Sequence, residues 1–124
     1  LIGRDRAQDI GGRAARLTGL QQYRFMADAL DCEDGDVPDA ARFLDAVLSG
    51  MGDDVRTETS DGDFARVHQH GLRFVRGIDG SDRELLLSCW AELWHGAIAS
   101  HRAFIQVTHE DRGDAVTWTL SPRR

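Results

Sequence analysis

The fold is decided by the closing part of the chain, where one long amphipathic helix precedes two short strands. Residues 81–100 read SDRELLLSCWAELWHGAIAS. The opening Ser-x-x-Glu is a capping box, in which the Ser hydroxyl and the Glu carboxylate each accept a hydrogen bond from an otherwise unpaired backbone N–H. Apolar residues then recur every three or four positions, which predicts a helix over about 82–100. Its broad apolar face carries Leu86, Cys89, Trp90, Leu93, Trp94, Ala97 and Ile98.

Two strands are predicted after this helix, over 104–109 and 115–120. Side chains alternate between the two faces of a strand, so Val116, Trp118 and Leu120 share one face. The five residues EDRGD at 110–114 are an ordinary hairpin loop. The helix is therefore expected to lay its tryptophans on a closing hairpin.

A second hairpin is predicted before the helix. Residues 55–59 and 64–68 alternate with period two, and the Asp61-Gly62 pair between them is a strong hairpin signal. A further short extended segment is expected around 72–75.

The first part of the chain is predicted to be helical. Residues 1–31 follow a helical period, with a break expected at Gly11-Gly12 because glycine disfavours a helix interior by roughly 1 kcal/mol. Its expected apolar face comprises Ile10, Ala14, Leu17, Leu20, Phe25, Met26, Ala29 and Leu30. Pro38 suits the first turn of a second helix, which Gly50 and Gly52 end.

These elements predict one α+β domain over 1–124, with a helical half at 1–52 and a hairpin–helix–hairpin half at 53–124. An antiparallel sheet of about four strands should be covered on one face by helices. The chain opens on Leu1 instead of Met, which indicates a piece of a longer product.

Composition excludes several classes of function. The formal net charge is -6 and the 15 basic side chains are all Arg, scattered without a stripe, which argues against a nucleic-acid partner. No apolar run approaches the roughly 20 residues that span a bilayer, so no membrane partner is expected. Two cysteines, Cys32 and Cys89, favour a reducing cytoplasm over a disulfide scaffold, although spacing alone leaves one bridge open. No nucleotide, zinc-protease or hydrolase motif occurs, so no cofactor is predicted.

Three groups of residues are candidates for chemistry. Cys89 is a candidate nucleophile with His95 or His109 as its base, although a buried cysteine more often packs as a small hydrophobe. His68 and His70 share a strand face and, with His109, form an alternative metal site. Trp90, Trp94, Phe104 and Trp118 are candidate ligand-binding residues. The alternatives for these aromatic side chains are core packing or a dimer contact.

The C-terminal half resembles two related families. A helix with Cys89, Gly96 seven residues later, a strand, and then Gly113-Asp114 opening a last aromatic strand is similar to the 4-vinyl reductase-type domain and the L-2-amino-thiazoline-4-carboxylic acid hydrolase-like family. The likeness lies mainly in residues 55–120. In those families cysteines flank Gly-Asp, whereas Thr117 stands at one such position here, so only Cys89 and the Gly113-Asp114 turn carry over.

The resemblance implies a helix-covered sheet with a small-molecule cavity, often in a dimer. We therefore expect a small-molecule-binding domain that forms a homodimer. A thiazoline-carboxylate type of hydrolase is its enzymatic version, and the sequence leaves open whether the domain is an enzyme. The alternative is a non-enzymatic dimerisation or regulatory interaction module.

Overall fold

The computed structural model describes residues 4–32, 36–60, 64–99 and 105–122. In chain order the elements are α1 (Arg4–Ala29), α2 (Val37–Gly50), β1 (Asp54–Ser60), β2 (Phe64–His70), a short 3-10 helix (Arg73–Val75), α3 (Gly80–Ala99), β3 (Ile105–Asp111) and β4 (Ala115–Pro122). The α+β class is confirmed. The segment around 72–75 is a 3-10 turn and not an extended strand, and α3 begins at Gly80, one residue before the predicted cap Ser81.

The strands form one antiparallel sheet in the order β1-β2-β4-β3. Val67 and His109 both lie opposite Trp118 in the register, so these three side chains share a face. The helices α2 and α3 cover that inner face, as the order of the elements predicted. Both hairpins form with the expected pairing, although the Asp61-Gly62 turn lies outside the described residues.

The start of α2 depends on two aspartates. The side chain of Asp36 accepts the N–H of Asp39, and the side chain of Asp39 accepts the N–H of Asp36, at 3.0 and 3.1 Å. Pro38 lies in the first turn, as expected. The helix then buries Phe43 and Leu44 against the sheet.

The break predicted at Gly11-Gly12 is wrong, because α1 continues through both residues. These glycines lie against α3, where a Cβ on Gly11 would come within 2.9 Å of Cys89 Sγ. A Cβ on Gly19 would overlap the backbone oxygen of Leu93 and lie 2.7 Å from the nitrogen of Ala97. Contact between the two helices offsets the poor helix propensity of glycine.

The face of α1 predicted to be buried is exposed instead, except for Met26, which is partly buried against the core. Ile10, Leu17, Leu20 and Phe25 are 48, 55, 42 and 73% accessible. Among the residues of α1 whose burial is described, the buried positions are Gly12, Gly19, Tyr23 and Ala27. The small residues allow α1 to approach α3 closely. Tyr23 packs on Phe43, with ring centroids 4.9 Å apart, whereas Ile10, Leu17, Leu20 and Phe25 point away from the domain.

Candidate functional site

The three tryptophans of the chain meet on the inner face of the sheet. Trp90 and Trp94 lie one helical turn apart on α3, with ring centroids 6.0 Å apart. The ring of Trp118 on β4 is 5.7 Å from that of Trp90. Phe74, from the 3-10 helix, stacks on Trp90 at 4.1 Å. We call these four residues the aromatic cluster.

The cluster is well packed. Trp118 is 0% and Trp94 5% exposed, while Trp90 and Phe74 are half-buried. Phe104, the fourth aromatic residue predicted to bind a ligand, lies outside the described residues. Phe74 was not among the predicted ligand-binding residues, because its residue type alone does not place it over Trp90.

The three indole N–H groups differ in their partners. Trp118 Nε1 donates to Gln69 Oε1 at 3.1 Å. Within the described part of the chain, the buried Nε1 atoms of Trp90 and Trp94 have no hydrogen-bond partner. A buried donor without an acceptor forfeits about 1–3 kcal/mol, so these two N–H groups are sites at which an acceptor would be favoured.

Trp118 is held by a buried chain of hydrogen bonds through Gln69 and Asp53, which we call the polar relay. It was not predicted from the sequence. Gln69 is fully buried and its Nε2 donates to Asp53 Oδ2 at 2.5 Å. Asp53 also accepts the backbone N–H of Arg73 at 3.0 Å. The only available signal was that Gln69 shares a strand face with the apolar Ala65 and Val67, and this gave no indication of its partners.

The two predicted histidine bases lie together at the edge of the aromatic cluster. Nε2 of His95, on α3, is 3.1 Å from Nδ1 of His109, on β3. The ring of His109 is 5.3 Å from that of Trp118, and His95 is 6.2 Å from the same ring. Helix and strand thus bring together residues that are far apart in sequence.

Charged groups surround this histidine pair. Desolvation lowers the pKa of His95, and Glu92 opposes that shift. His109 has solvent on its outer edge, but its ring faces His95 and Trp118, and this partial burial lowers its pKa as well. The carboxylate of Glu92 accepts a hydrogen bond from Arg16 Nη1 at 3.2 Å. Both imidazoles are therefore favoured in their neutral form.

Cys89 faces a different direction from the histidines. Its Sγ contacts α1 at Gly11. Six residues separate Cys89 from His95, which corresponds to roughly 120° around the helix. The structure therefore brings His95 and His109 together and places Cys89 in the interface between α1 and α3. Gly96, seven residues after Cys89, meets α1 at Arg16, so both residues of the Cys–Gly pattern are helix-contact positions.

The alternative metal ligands are not brought together. His68 and His70 lie on the outer face of β2, whereas His109 lies on the inner face of the sheet. His68 contacts Thr117 Oγ1 at 3.4 Å, and His70 borders an open depression with Asp54 and Arg56. Among the described residues, no three His, Cys, Asp or Glu side chains converge as a metal site.

A second depression of about 300 Å³ lies between α1 and α3. It is lined by Asp9, Gly12, Arg13, Arg16, Ser88 and Glu92. Its two arginines are already paired, Arg13 with Asp9 and Arg16 with Glu92. Four of its six lining residues are charged, and the aromatic cluster does not line it.

The Gly113-Asp114 turn has a structural role. Gly113 adopts φ +91°, which glycine tolerates best, and its N–H donates to Asp111 Oδ1 at 3.0 Å. Arg83 of α3 donates to both carboxylate oxygens of Asp111, at 2.8 and 3.2 Å, and to the carbonyl of Gly113. The hydrogen bond from Arg83 lowers the pKa of Asp111. These contacts join the first turns of α3 to the closing hairpin.

Both cysteines are free thiols. No described helix is long and apolar enough to cross a membrane.

No protein-family profile matches the sequence, and no characterised protein matches it closely enough to be detected by sequence. The fold is similar to that of a trafficking protein particle complex subunit 3 from Naegleria fowleri, solved covalently bound to palmitic acid. That similarity has a TM-score of 0.72 at 9% identity and covers 100% of this chain and 84% of the other.

The fold is also similar to that of an H-NOX protein from S. oneidensis, solved in the Fe(II)NO ligation state. Here the TM-score is 0.57 at 13% identity, covering 94% of this chain and 66% of the other. Both similarities are similarities of fold.

Proposed function

We propose that this domain binds a small molecule at the aromatic cluster, and that the ligand accepts hydrogen bonds from Trp90 and Trp94. The observation that carries the proposal is the pair of buried indole N–H groups without acceptors. Trp118, in the same cluster, has its acceptor in Gln69. The fold also supports the proposal, because the palmitate-bound trafficking subunit and the H-NOX protein, both solved with ligands, share it.

The ligand class follows from the surroundings of these donors. An acceptor placed between apolar rings recovers about 1–3 kcal/mol for each donor it satisfies. The remainder of the ligand has to be apolar, because beyond these two N–H groups the three indoles offer only ring surfaces. A molecule with one carbonyl or carboxyl end and an apolar body meets both conditions.

Phe74 is the proposed point of entry. It stacks on Trp90 from a 3-10 helix of three residues, the shortest element of the fold. Leu72, just before it, adopts φ +37°, which is unfavourable for leucine. Displacing one ring held by a short, strained segment is the least costly way to expose the indoles.

Tryptophan fluorescence tests the proposal directly, since all three tryptophans belong to the cluster. Two probes are suitable: palmitic acid, after the structural neighbour, and 2-amino-thiazoline-4-carboxylate, after the resembled hydrolase-like family. We expect a saturable emission shift with at least one probe. Phe74→Ala should tighten binding several-fold by removing the ring that occupies the site.

A second measurement does not depend on the choice of ligand. Trp→Phe keeps an aromatic ring and removes the N–H, so Trp90→Phe and Trp94→Phe should each cost less stability than Trp118→Phe, which breaks a buried hydrogen bond. Equal costs at all three positions, together with no emission shift, would remove the basis of the proposal.

The enzymatic version is a hydrolase resembling the thiazoline-carboxylate family. His95 and His109 are its candidate bases, because they adjoin Trp118 and are favoured in the neutral form. Cys89 points towards α1, so a water molecule is the better candidate nucleophile. Turnover of 2-amino-thiazoline-4-carboxylate that is lost in His95→Gln and kept in Cys89→Ser would support this version.

A second candidate function is homodimerisation through α1. Its outward face carries Ile10, Leu17, Leu20 and Phe25, all exposed. An antiparallel pair of α1 helices centred on Leu17 would set the exposed Arg6 of each copy opposite Asp28 of the other. Because of this charge complementarity, we propose a second copy of the chain as the partner of this face.

We further propose that the protein is cytoplasmic, because its free thiols would persist in a reducing compartment.

Sedimentation velocity tests the dimer. Leu17→Arg places like charges at the centre of the pairing and should give monomers. Gln22→Arg lies on α1 away from the stripe, so this variant should sediment as the unmodified protein does. A monomeric unmodified protein at high concentration would exclude this function.

A further inference from the structure

The spacing of the histidine pair suits a metal ion. The two facing nitrogens, His95 Nε2 and His109 Nδ1, are 3.1 Å apart. Two imidazole nitrogens about 2.05 Å from one ion are about 3.3 Å apart at a tetrahedral angle and about 2.9 Å apart at a right angle. The observed separation falls between these values. The two nitrogens face each other as hydrogen-bond partners, and on metal binding the ring N–H between them would be lost and both rings would turn so that their lone pairs point at one ion.

We propose that His95 and His109 bind a divalent transition-metal ion of the Zn²⁺, Ni²⁺ or Co²⁺ class, with the carboxylate of Glu92 as third ligand. Glu92 precedes His95 by three residues on α3 and so shares its face of the helix. In this conformation its carboxylate accepts a hydrogen bond from Arg16, and no three ligands converge among the described residues. Water would complete the coordination.

The surroundings favour this class of ion. Imidazole and carboxylate ligands suit Zn²⁺ and its neighbours, whereas Ca²⁺ and Mg²⁺ prefer oxygen ligands alone. The solvent-exposed edge of His109 gives the ion a route of entry.

The test uses the full chain without a histidine tag, freed of metal with EDTA, and titrated with Zn²⁺ by calorimetry and with Co²⁺ by visible absorption. We expect one equivalent to bind, with affinity reduced at least tenfold in His95→Ala and in His109→Gln. Glu92→Gln should weaken binding several-fold. Arg16→Ala should strengthen it, because the carboxylate is then released from its partner.

Matched controls make the outcome decisive. His68→Ala and His70→Ala remove two histidines from the opposite face of the sheet and should leave Zn²⁺ affinity unchanged, as should Cys89→Ser. Circular dichroism confirms that each variant is folded. The proposal is overturned if folded His95→Ala binds Zn²⁺ as tightly as the unmodified chain, or if binding disappears in His68→Ala. An unchanged affinity in both Glu92→Gln and Arg16→Ala would remove Glu92 from the site.

Discussion

Trp118 and Gln69 are joined by a fully buried hydrogen bond of 3.1 Å from the indole Nε1 to the amide oxygen. The bond fixes the one tryptophan that β4 places at the centre of the sheet. Because the other two indoles lack such a partner among the described residues, the cluster combines one satisfied donor with two unsatisfied ones. This difference underlies the proposed binding site.

Replacing Gln69 should destabilise the domain strongly. Gln69→Leu keeps the volume but leaves the Trp118 N–H and the Asp53 carboxylate without their partner. We expect a loss of about 2–4 kcal/mol in the free energy of unfolding, measured in urea. Gln106→Leu, at an exposed position on β3, should change stability by less than about 0.5 kcal/mol. If Gln69→Leu lowered the free energy of unfolding no more than Gln106→Leu does, the hydrogen bonds of Gln69 would not be contributing to stability.

The close approach of α1 to α3 predicts opposite effects of two glycine substitutions. In a helix interior alanine is favoured over glycine by roughly 1 kcal/mol, so helix propensity alone predicts that Gly19→Ala gains stability. Gly50 is the last residue of α2, so the gain expected from Gly50→Ala is smaller. At Gly19 the added Cβ would overlap the backbone of α3, whereas at Gly50 it meets nothing within 4 Å. Gly19→Ala should therefore lower the melting temperature by more than about 10 °C and Gly50→Ala should not. A stable Gly19→Ala variant would contradict the described packing of α1.

Arg83 should anchor α3 to the closing hairpin. Arg83→Ala removes two hydrogen bonds to Asp111 and one to the Gly113 carbonyl. The site is partly exposed, so we expect a loss of about 1–2 kcal/mol in the free energy of unfolding. Arg112→Ala, whose pairing with Glu110 is more exposed, is the matched control and should cost less than about 0.5 kcal/mol. Equal losses in the two variants would mean that Arg83 is not a specific anchor.

The thiol of Cys32 should react slowly with alkylating reagents. Burial raises its pKa, and Arg42 offsets only part of that shift. Because the pKa is raised in the folded state, less thiolate is present at a given pH. Folding therefore favours the protonated thiol, and the stability that this adds is lost as the pH rises through the folded-state pKa. In a Cys89→Ser background, the pH midpoint for iodoacetamide labelling should lie above that of the same variant unfolded in urea. A midpoint at or below the unfolded value would contradict the burial of this thiol.

Local pattern predicted the β-strands well and the burial of α1 poorly. Alternation in β2 and β4 is enforced by the pleat, so Val67 and Trp118 could be assigned to the core from sequence. In α1 the apolar period is genuine, but nothing in a period tells which face meets the rest of the domain. Gly19 determines which face of α1 is buried, because only a residue without a side chain at this position permits α1 to approach α3 this closely.

The residues of the candidate site could be selected from the sequence, but the contacts between them could not be predicted. Spacing placed Trp90 and Trp94 on one face, because four residues make nearly one helical turn. The contact between His95 and His109 depends on how α3 crosses the sheet, which no local pattern encodes. The same holds for Gln69, whose two partners come from a loop and from a strand distant in sequence.

Nitrogen-15 NMR of the indole N–H signals tests the central claim most directly, because the chain has three tryptophans and Trp→Phe variants assign each signal. The spectrum is recorded during titration with palmitic acid and then with 2-amino-thiazoline-4-carboxylate. We predict that the signals of Trp90 and Trp94 move downfield on saturation as they acquire an acceptor, while that of Trp118, already bonded to Gln69, stays in place. Stationary Trp90 and Trp94 signals with both probes, or a shift confined to Trp118, would contradict the account.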